Sequence, residues 1–132
     1  MKNKRNQTMR RHWINFDIAG FSYYDGCMVL NELKPGMQLQ LVNEENNKFD
    51  PYAVAVYYND YKLGFIPRGL NEDVYKFLEM GYDNLFEVRI QKVDEKSHPE
   101  RQVSAIMYIL RNNKENDYST AHDYRNDDDR CQ

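Results

Sequence analysis

Asn46-Asn47-Lys48-Phe49-Asp50-Pro51-Tyr52-Ala53-Val54-Ala55-Val56, followed by Lys62-Leu63-Gly64-Phe65-Ile66-Pro67-Arg68, sets a polar loop directly before a buried strand. Asn and Asp side chains bond their own backbone and Pro locks φ, so these residues stop regular structure and favour turns. The Ala-Val-Ala-Val run lacks the alternation of a half-exposed strand and reads as one covered on both faces. Asn59-Asp60 then reverses the chain into a second strand that Pro67 ends. A loop fixed between such breakers can hold a ligand.

Outward from this core the same reading continues. Ile14, Phe16 and Ile18 alternate with polar residues as a first strand, and Leu39 and Leu41 mark a second. Between them, Met28, Val29, Leu30 and Leu33 suit one or two helical turns stopped by Pro35-Gly36. Asn71 is an expected N-cap, Val74, Phe77 and Leu78 an expected apolar face, and Gly81 an expected helix end. Phe86, Val88 and Ile90 alternate in a fifth strand, and Val103, Ala105, Met107 and Ile109 in a sixth, with the charged turn Glu95 to Glu100 between them. The expected fold is mainly β with two short helices, a small six-stranded OB-like β-barrel whose closure hides the sheet edges.

At 132 residues and 15.9 kDa the chain is long enough for one core, and no Gly-, Ser- or Pro-rich linker divides it. We expect a basic flexible segment at 1–12, a barrel domain at 13–111 and an acidic disordered tail at 112–132. Five cations stand in the first twelve residues, and the last twenty-one hold three cations and six carboxylates, leaving ten Lys or Arg against fifteen Asp or Glu in the body. Extended nonspecific DNA binding draws its affinity from many phosphate neutralisations, so this body excludes a long cationic DNA track. Any nucleic-acid site must be small and local. No apolar run reaches the length of a membrane helix and no signal region follows the basic start, so a cytoplasmic protein without membrane contact is expected. Cys27 and Cys131 support neither a disulfide framework nor a zinc motif.

Tyr23 and Tyr24 are neighbours in an extended segment, so one is expected to face a ligand and the other to pack inward. An exposed aromatic stacks on any base, whereas a buried Tyr packs its ring and keeps its hydroxyl wet. Asn47 and Asp50 have an ordinary reading as turn formers and a functional one as polar groups in a pocket. Of Phe65 and Ile66, one should be core and the other border that pocket. Lys48, Lys62 and Arg68 are the nearest cations, with Arg68 favoured for phosphate contact and Lys62 read as solvated surface. His12, His98 and His122 are scattered without metal spacing, and no triad or phosphate loop is visible.

With Ile18-Ala19-Gly20-Phe21-Ser22-Tyr23-Tyr24-Asp25-Gly26 and Leu33-Lys34-Pro35-Gly36 upstream, these motifs resemble, in the same order, the HIRAN domain. That family is found alone in bacteria and fused to replication-fork helicases in eukaryotes, and the resemblance spans Trp13 to Arg111. It implies a noncatalytic DNA-binding module for the 3′-hydroxyl end of single-stranded DNA, linked to DNA repair or replication-fork processing, with a helicase or nuclease as a further protein partner. By this resemblance the DNA-binding residues are Tyr23, Tyr24, Asn47, Lys48, Phe49, Asp50, Phe65 and Arg68. Asp50 accepts a hydrogen bond from the terminal hydroxyl and Asn47 positions the terminal nucleotide. An ionised carboxylate only accepts hydrogen bonds, so it favours a free hydroxyl and repels a continuing phosphate. Phe49 stands where the family often has Tyr, and Ser22 where helicase-fused relatives carry Arg. No catalytic residue, cofactor or metal is expected. The alternatives are a protein-interaction or assembly module without DNA binding and a metal-dependent nuclease built on Asp25, Asp50 and Asp73.

Overall fold

The computed structural model describes residues 9–112. Of the basic segment expected at 1–12 the first eight residues lie outside them, and of the tail expected at 112–132 all but residue 112. Six strands form: β1 (Arg10–Asp17), β2 (Gln38–Asn43), β3 (Val54–Tyr58), β4 (Tyr61–Phe65), β5 (Phe86–Val93) and β6 (Val103–Leu110). Two short α-helices, α1 (Gly26–Val29) and α2 (Glu72–Glu79), join them, with single 3₁₀ turns at Phe21–Tyr23, Leu30–Glu32 and Pro99–Arg101. β1 begins three residues before Trp13, because Arg10, Arg11 and His12 pair with Leu110, Ile109 and Tyr108.

All ladders are antiparallel, in the order β1-β6-β5-β2-β3-β4. β2 is the corner of the sheet: Gln38 and Leu39 pair with β5, then Gln40 to Asn43 pair with β3. The bend folds β3 and β4 over the core against β1, β5 and β6. Mainly β structure with two short helices is therefore what forms, but the barrel is not closed by a continuous ladder. β1 and β4 meet only at an isolated bridge, where Ala19 N–H donates to Phe65 O at 2.8 Å and Phe65 N–H to Ala19 O at 2.9 Å. Longer pairing is blocked on both sides: Gly20 turns the chain at φ 72° into the 3₁₀ turn, and Pro67 has no N–H to offer.

The core collects Phe16, Ile18, Leu39, Val54, Val56, Leu63, Ile66, Val88, Ile90, Val103, Ala105 and Met107 from the strands, with Phe21, Val29 and Leu33 beneath the 21–33 segment. Ala53 to Val56 are all buried, so this strand is covered on both faces as its composition suggests. α2 closes the open side with Val74 and Tyr75, and Leu78 packs half-buried against the core; of the expected face Phe77 alone turns outward, 42% exposed. Its C-terminus follows the glycine rule, with Gly81 at φ 96°, Gly81 N–H on Leu78 O at 3.0 Å and Tyr82 N–H on Phe77 O at 3.0 Å. Among the described residues no helix is long and apolar enough to cross a membrane.

The charged turn after β5 is built around Asp94. Its carboxylate accepts from Ser97 Oγ at 2.7 Å and from Lys96 N–H at 3.1 Å, and these bonds, the Ser97 one foremost, hold its pKa below the usual Asp value. A depressed folded pKa adds stability above the unfolded value, near pH 4, and loses it as pH falls through the folded value. Asp94→Asn should therefore lower thermal stability at pH 6, with the gap from the parent protein shrinking toward pH 3. Melting curves across that range check the sign; a gap that stays constant or widens with acid contradicts it.

Candidate functional site

Asn47 and Asp50 shape the 44–53 loop from within. Asn47 Oδ1 accepts from Phe49 N–H at 2.8 Å and Asp50 N–H at 2.9 Å, and its Nδ2 donates to Glu44 Oε1 at 3.1 Å. Asp50 Oδ1 accepts from Tyr52 N–H at 2.9 Å. Glu44 N–H donates to Ala53 O at 2.9 Å and ties the ends of the loop together. The turn reading of both residues holds, and it fixes what their free faces point at.

Asp50 has a second partner, on Oδ2, that sequence reasoning missed. Asn71 Nδ2 donates to it at 2.8 Å. Asn71 occupies the N-cap position of α2 yet makes no side-chain cap bond, and it is only 4% exposed. Its amide is spent across the fold on Asp50, which no local pattern announces. Arg68 completes the group: its guanidinium donates to Phe49 O, and its Nε lies 3.6 Å from Asp50 Oδ2, an ion pair beyond hydrogen-bond length.

The opposite wall comes from the 19–25 segment. Asp25 pins this segment to β4, donating its N–H to Lys62 O at 2.9 Å and accepting Lys62 N–H on Oδ2 at 3.1 Å. Tyr24 then meets Phe65 edge to face, with ring centroids 5.5 Å apart. Lys62 was expected in solvent, but its side chain is only 20% exposed. Its Nζ pairs with Glu44 and stands 4.5 Å from the Tyr24 ring centroid and 4.4 Å from that of Phe65. The ammonium thus braces both rings from behind by cation–π attraction.

These walls enclose a cavity of about 270 Å³ lined by Tyr24, Asn47, Phe49, Asp50, Phe65 and Arg68, with Ala19, Gly20, Ala53 and Ile66 completing it. Six of the eight expected site residues meet there; Tyr23 and Lys48 do not line it. Neither tyrosine is core: Tyr23 is 76% exposed and Tyr24 39%, because Phe21 takes the buried place of that segment. Ile66 is buried and Phe65 borders the cavity, which settles their alternation. Phe49 stands at the rim, 84% exposed. A shallower depression of about 590 Å³, lined by Asn15, Phe16, Asp17, Gln91, Lys92 and Ser104, shares none of these residues. Among the described residues no three His, Cys, Asp or Glu side chains gather as a metal site, and Asp25 and Asp50 each serve backbone N–H groups.

The family model described as the HIRAN domain matches residues 13–110. The chain belongs to the HIRAN family. Two solved structures share its fold. A crystal structure of a protein from Lactobacillus plantarum superposes with a TM-score of 0.65 at 21% identity, covering 80% of this chain and 100% of that one. The crystal structure of the HIRAN domain of human HLTF gives 0.53 at 16% identity, covering 87% of this chain and 84% of that one. At such identities the likeness speaks for the fold alone. No curated protein matches the chain.

Proposed function

We propose that this HIRAN domain is a noncatalytic DNA-binding module that captures the 3′-hydroxyl end of single-stranded DNA in the Asp50 cavity, in the service of DNA repair or replication-fork processing. One observation carries the reading: a rigidly held carboxylate stands in the wall of a small cavity bordered by Tyr24, Phe49 and Phe65, with Arg68 at its edge. Each component has a task. The aromatic faces stack on a base without regard to its identity, at about 1–3 kcal/mol per base. Arg68, 70% exposed, meets a phosphate of the entering strand. Asp50 accepts the terminal hydroxyl and repels any further phosphate. The volume lies just under the roughly 300–1,000 Å³ of small-molecule sites, which suits one terminal nucleoside rather than a run of bases.

Fluorescence anisotropy with single-stranded oligonucleotides ending in a 3′ hydroxyl or a 3′ phosphate tests the proposal. The hydroxyl end should bind at least tenfold more tightly, and Tyr24→Ala should weaken it by about 1–3 kcal/mol while Tyr23→Ala changes it little. Equal affinity for the two ends, or for the two variants, would count against it. A protein-interaction role has one separate observation in its favour, the exposed Phe77, Met80 and Tyr82 around the end of α2. That role alone would leave every oligonucleotide titration flat.

A further inference from the structure

We infer that the cavity prefers a strand whose last sugar carries a 2′,3′-cis-diol, that is, a ribonucleotide end, over one ending in deoxyribose. The inference rests on the reading of Asp50 as acceptor of the terminal hydroxyl and extends it to the neighbouring carbon.

An ionised carboxylate offers about four lone-pair sites, two on each oxygen. In Asp50 the protein uses one on each: Oδ1 takes Tyr52 N–H at 2.9 Å and Oδ2 takes Asn71 Nδ2 at 2.8 Å. Arg68 Nε, at 3.6 Å, fills neither remaining place. Each oxygen therefore keeps one acceptor site, and Asp50 lines the cavity with its side chain 17% exposed. A lone 3′ hydroxyl satisfies one of them. Two hydroxyls on adjacent carbons, held on the same side of a furanose ring, satisfy both.

The rest of the lining offers little competition for a second hydroxyl. Among the described residues Asp50 is the only carboxylate that lines it. The Asn47 side-chain oxygen already accepts two N–H groups, from Phe49 and Asp50, and so has both lone pairs engaged. Arg68 only donates, and Ala19, Ala53 and Ile66 present apolar side chains. An added hydroxyl beside Asp50 gains a charged acceptor there.

The test first varies the ligand on the unaltered full chain. Fluorescein-labelled oligonucleotides of one sequence are compared by anisotropy: all-DNA with a 3′ hydroxyl, the same DNA with a single terminal ribonucleotide, that ribonucleotide 2′-O-methylated, all-RNA, and all-RNA whose terminal diol has been opened by periodate. The single ribonucleotide should tighten binding about tenfold, the scale of one added hydrogen bond to a charged acceptor. Methylation should abolish the gain, since an ether cannot donate. A gain shared by all-RNA, and lost on periodate treatment, identifies RNA 3′ ends as the source of the ligand; a gain confined to the chimera identifies ribonucleotide-tipped DNA. If the deoxyribose end binds and the ribonucleotide end binds no better, the diol inference is overturned while hydroxyl recognition stands. If no free hydroxyl end binds, both are overturned. Asp50→Asn, which replaces one acceptor oxygen by a donor, should erase any difference between ribose and deoxyribose ends.

Discussion

Asp50→Ala is expected to weaken binding of a free 3′-hydroxyl end about a hundredfold and to cost the fold about 1–3 kcal/mol, the penalty for a buried donor left without a partner. The two effects have separate origins. Binding falls because the one carboxylate that lines the cavity among the described residues is gone. Stability falls because Asn71, 4% exposed, loses the acceptor 2.8 Å from its amide. Loss of the Arg68 ion pair adds little, since that side chain is 70% exposed and exposed pairs contribute small amounts. In a domain of this size each kcal/mol moves the melting temperature by about 4–8 °C, so thermal denaturation and anisotropy can be read side by side.

Asp50→Asn separates the roles further. The new side chain can still present its one oxygen to Tyr52 N–H, but its NH₂ then faces the NH₂ of Asn71, donor against donor. Isosteric replacement is therefore not mild here. Adding Asn71→Asp reverses donor and acceptor across the same pair and should restore part of the stability. It should not restore hydroxyl selectivity, because position 71 does not line the cavity. Selectivity that survives in Asp50→Asn alone would remove Asp50 from the role assigned to it.

What could be read in the chain before folding was whatever chemistry is local. The Asn47 and Asp50 turn bonds, the covered Ala53 to Val56 strand, the Gly81 helix end and the Asn59-Asp60 reversal each act over a few residues, so residue type and spacing reveal them. The barrel was less legible. Closure depends on how far β1 and β4 run alongside each other, which Gly20 and Pro67 limit to one bridge. The cavity was legible in its parts and not in its bracing. Lys62 is a hairpin lysine by sequence, and only the fold sets it behind Tyr24 and Phe65. Asn71 has the position of a cap, and only the approach of the 44–53 loop turns its amide to Asp50. Tyr23 and Tyr24 misled because strand alternation does not apply to a 3₁₀ turn: Phe21 goes inward, and Tyr23 in the turn and Tyr24 just after it both stay out.

Gly64→Ala should damage the domain severely, costing about 3–5 kcal/mol and lowering the melting temperature by on the order of 15–30 °C. Two penalties coincide at this residue. Its φ of 152° is one that L side chains rarely adopt, a strain of about 1–3 kcal/mol. A Cβ there would also stand 2.2 Å from Ala19 O and 2.7 Å from Ile18 Cγ2. Ala19 O is the acceptor of Phe65 N–H in the bridge that joins the sheet edges, so the methyl can be admitted only by parting that seam. Gly69→Ala supplies the control, since Gly69 also has positive φ, 90°, but a Cβ there meets nothing within 4 Å. It should lose only the backbone strain and keep full affinity. Because Ala19 and Phe65 are both cavity walls, Gly64→Ala should bind 3′ ends more weakly even at temperatures where it is fully folded. Equal melting temperatures for the two variants would mean that the Ala19–Phe65 seam yields without cost, and the cavity would then owe its shape to the bonds within the 44–53 loop and to the Asp25–Lys62 and Asp50–Asn71 contacts.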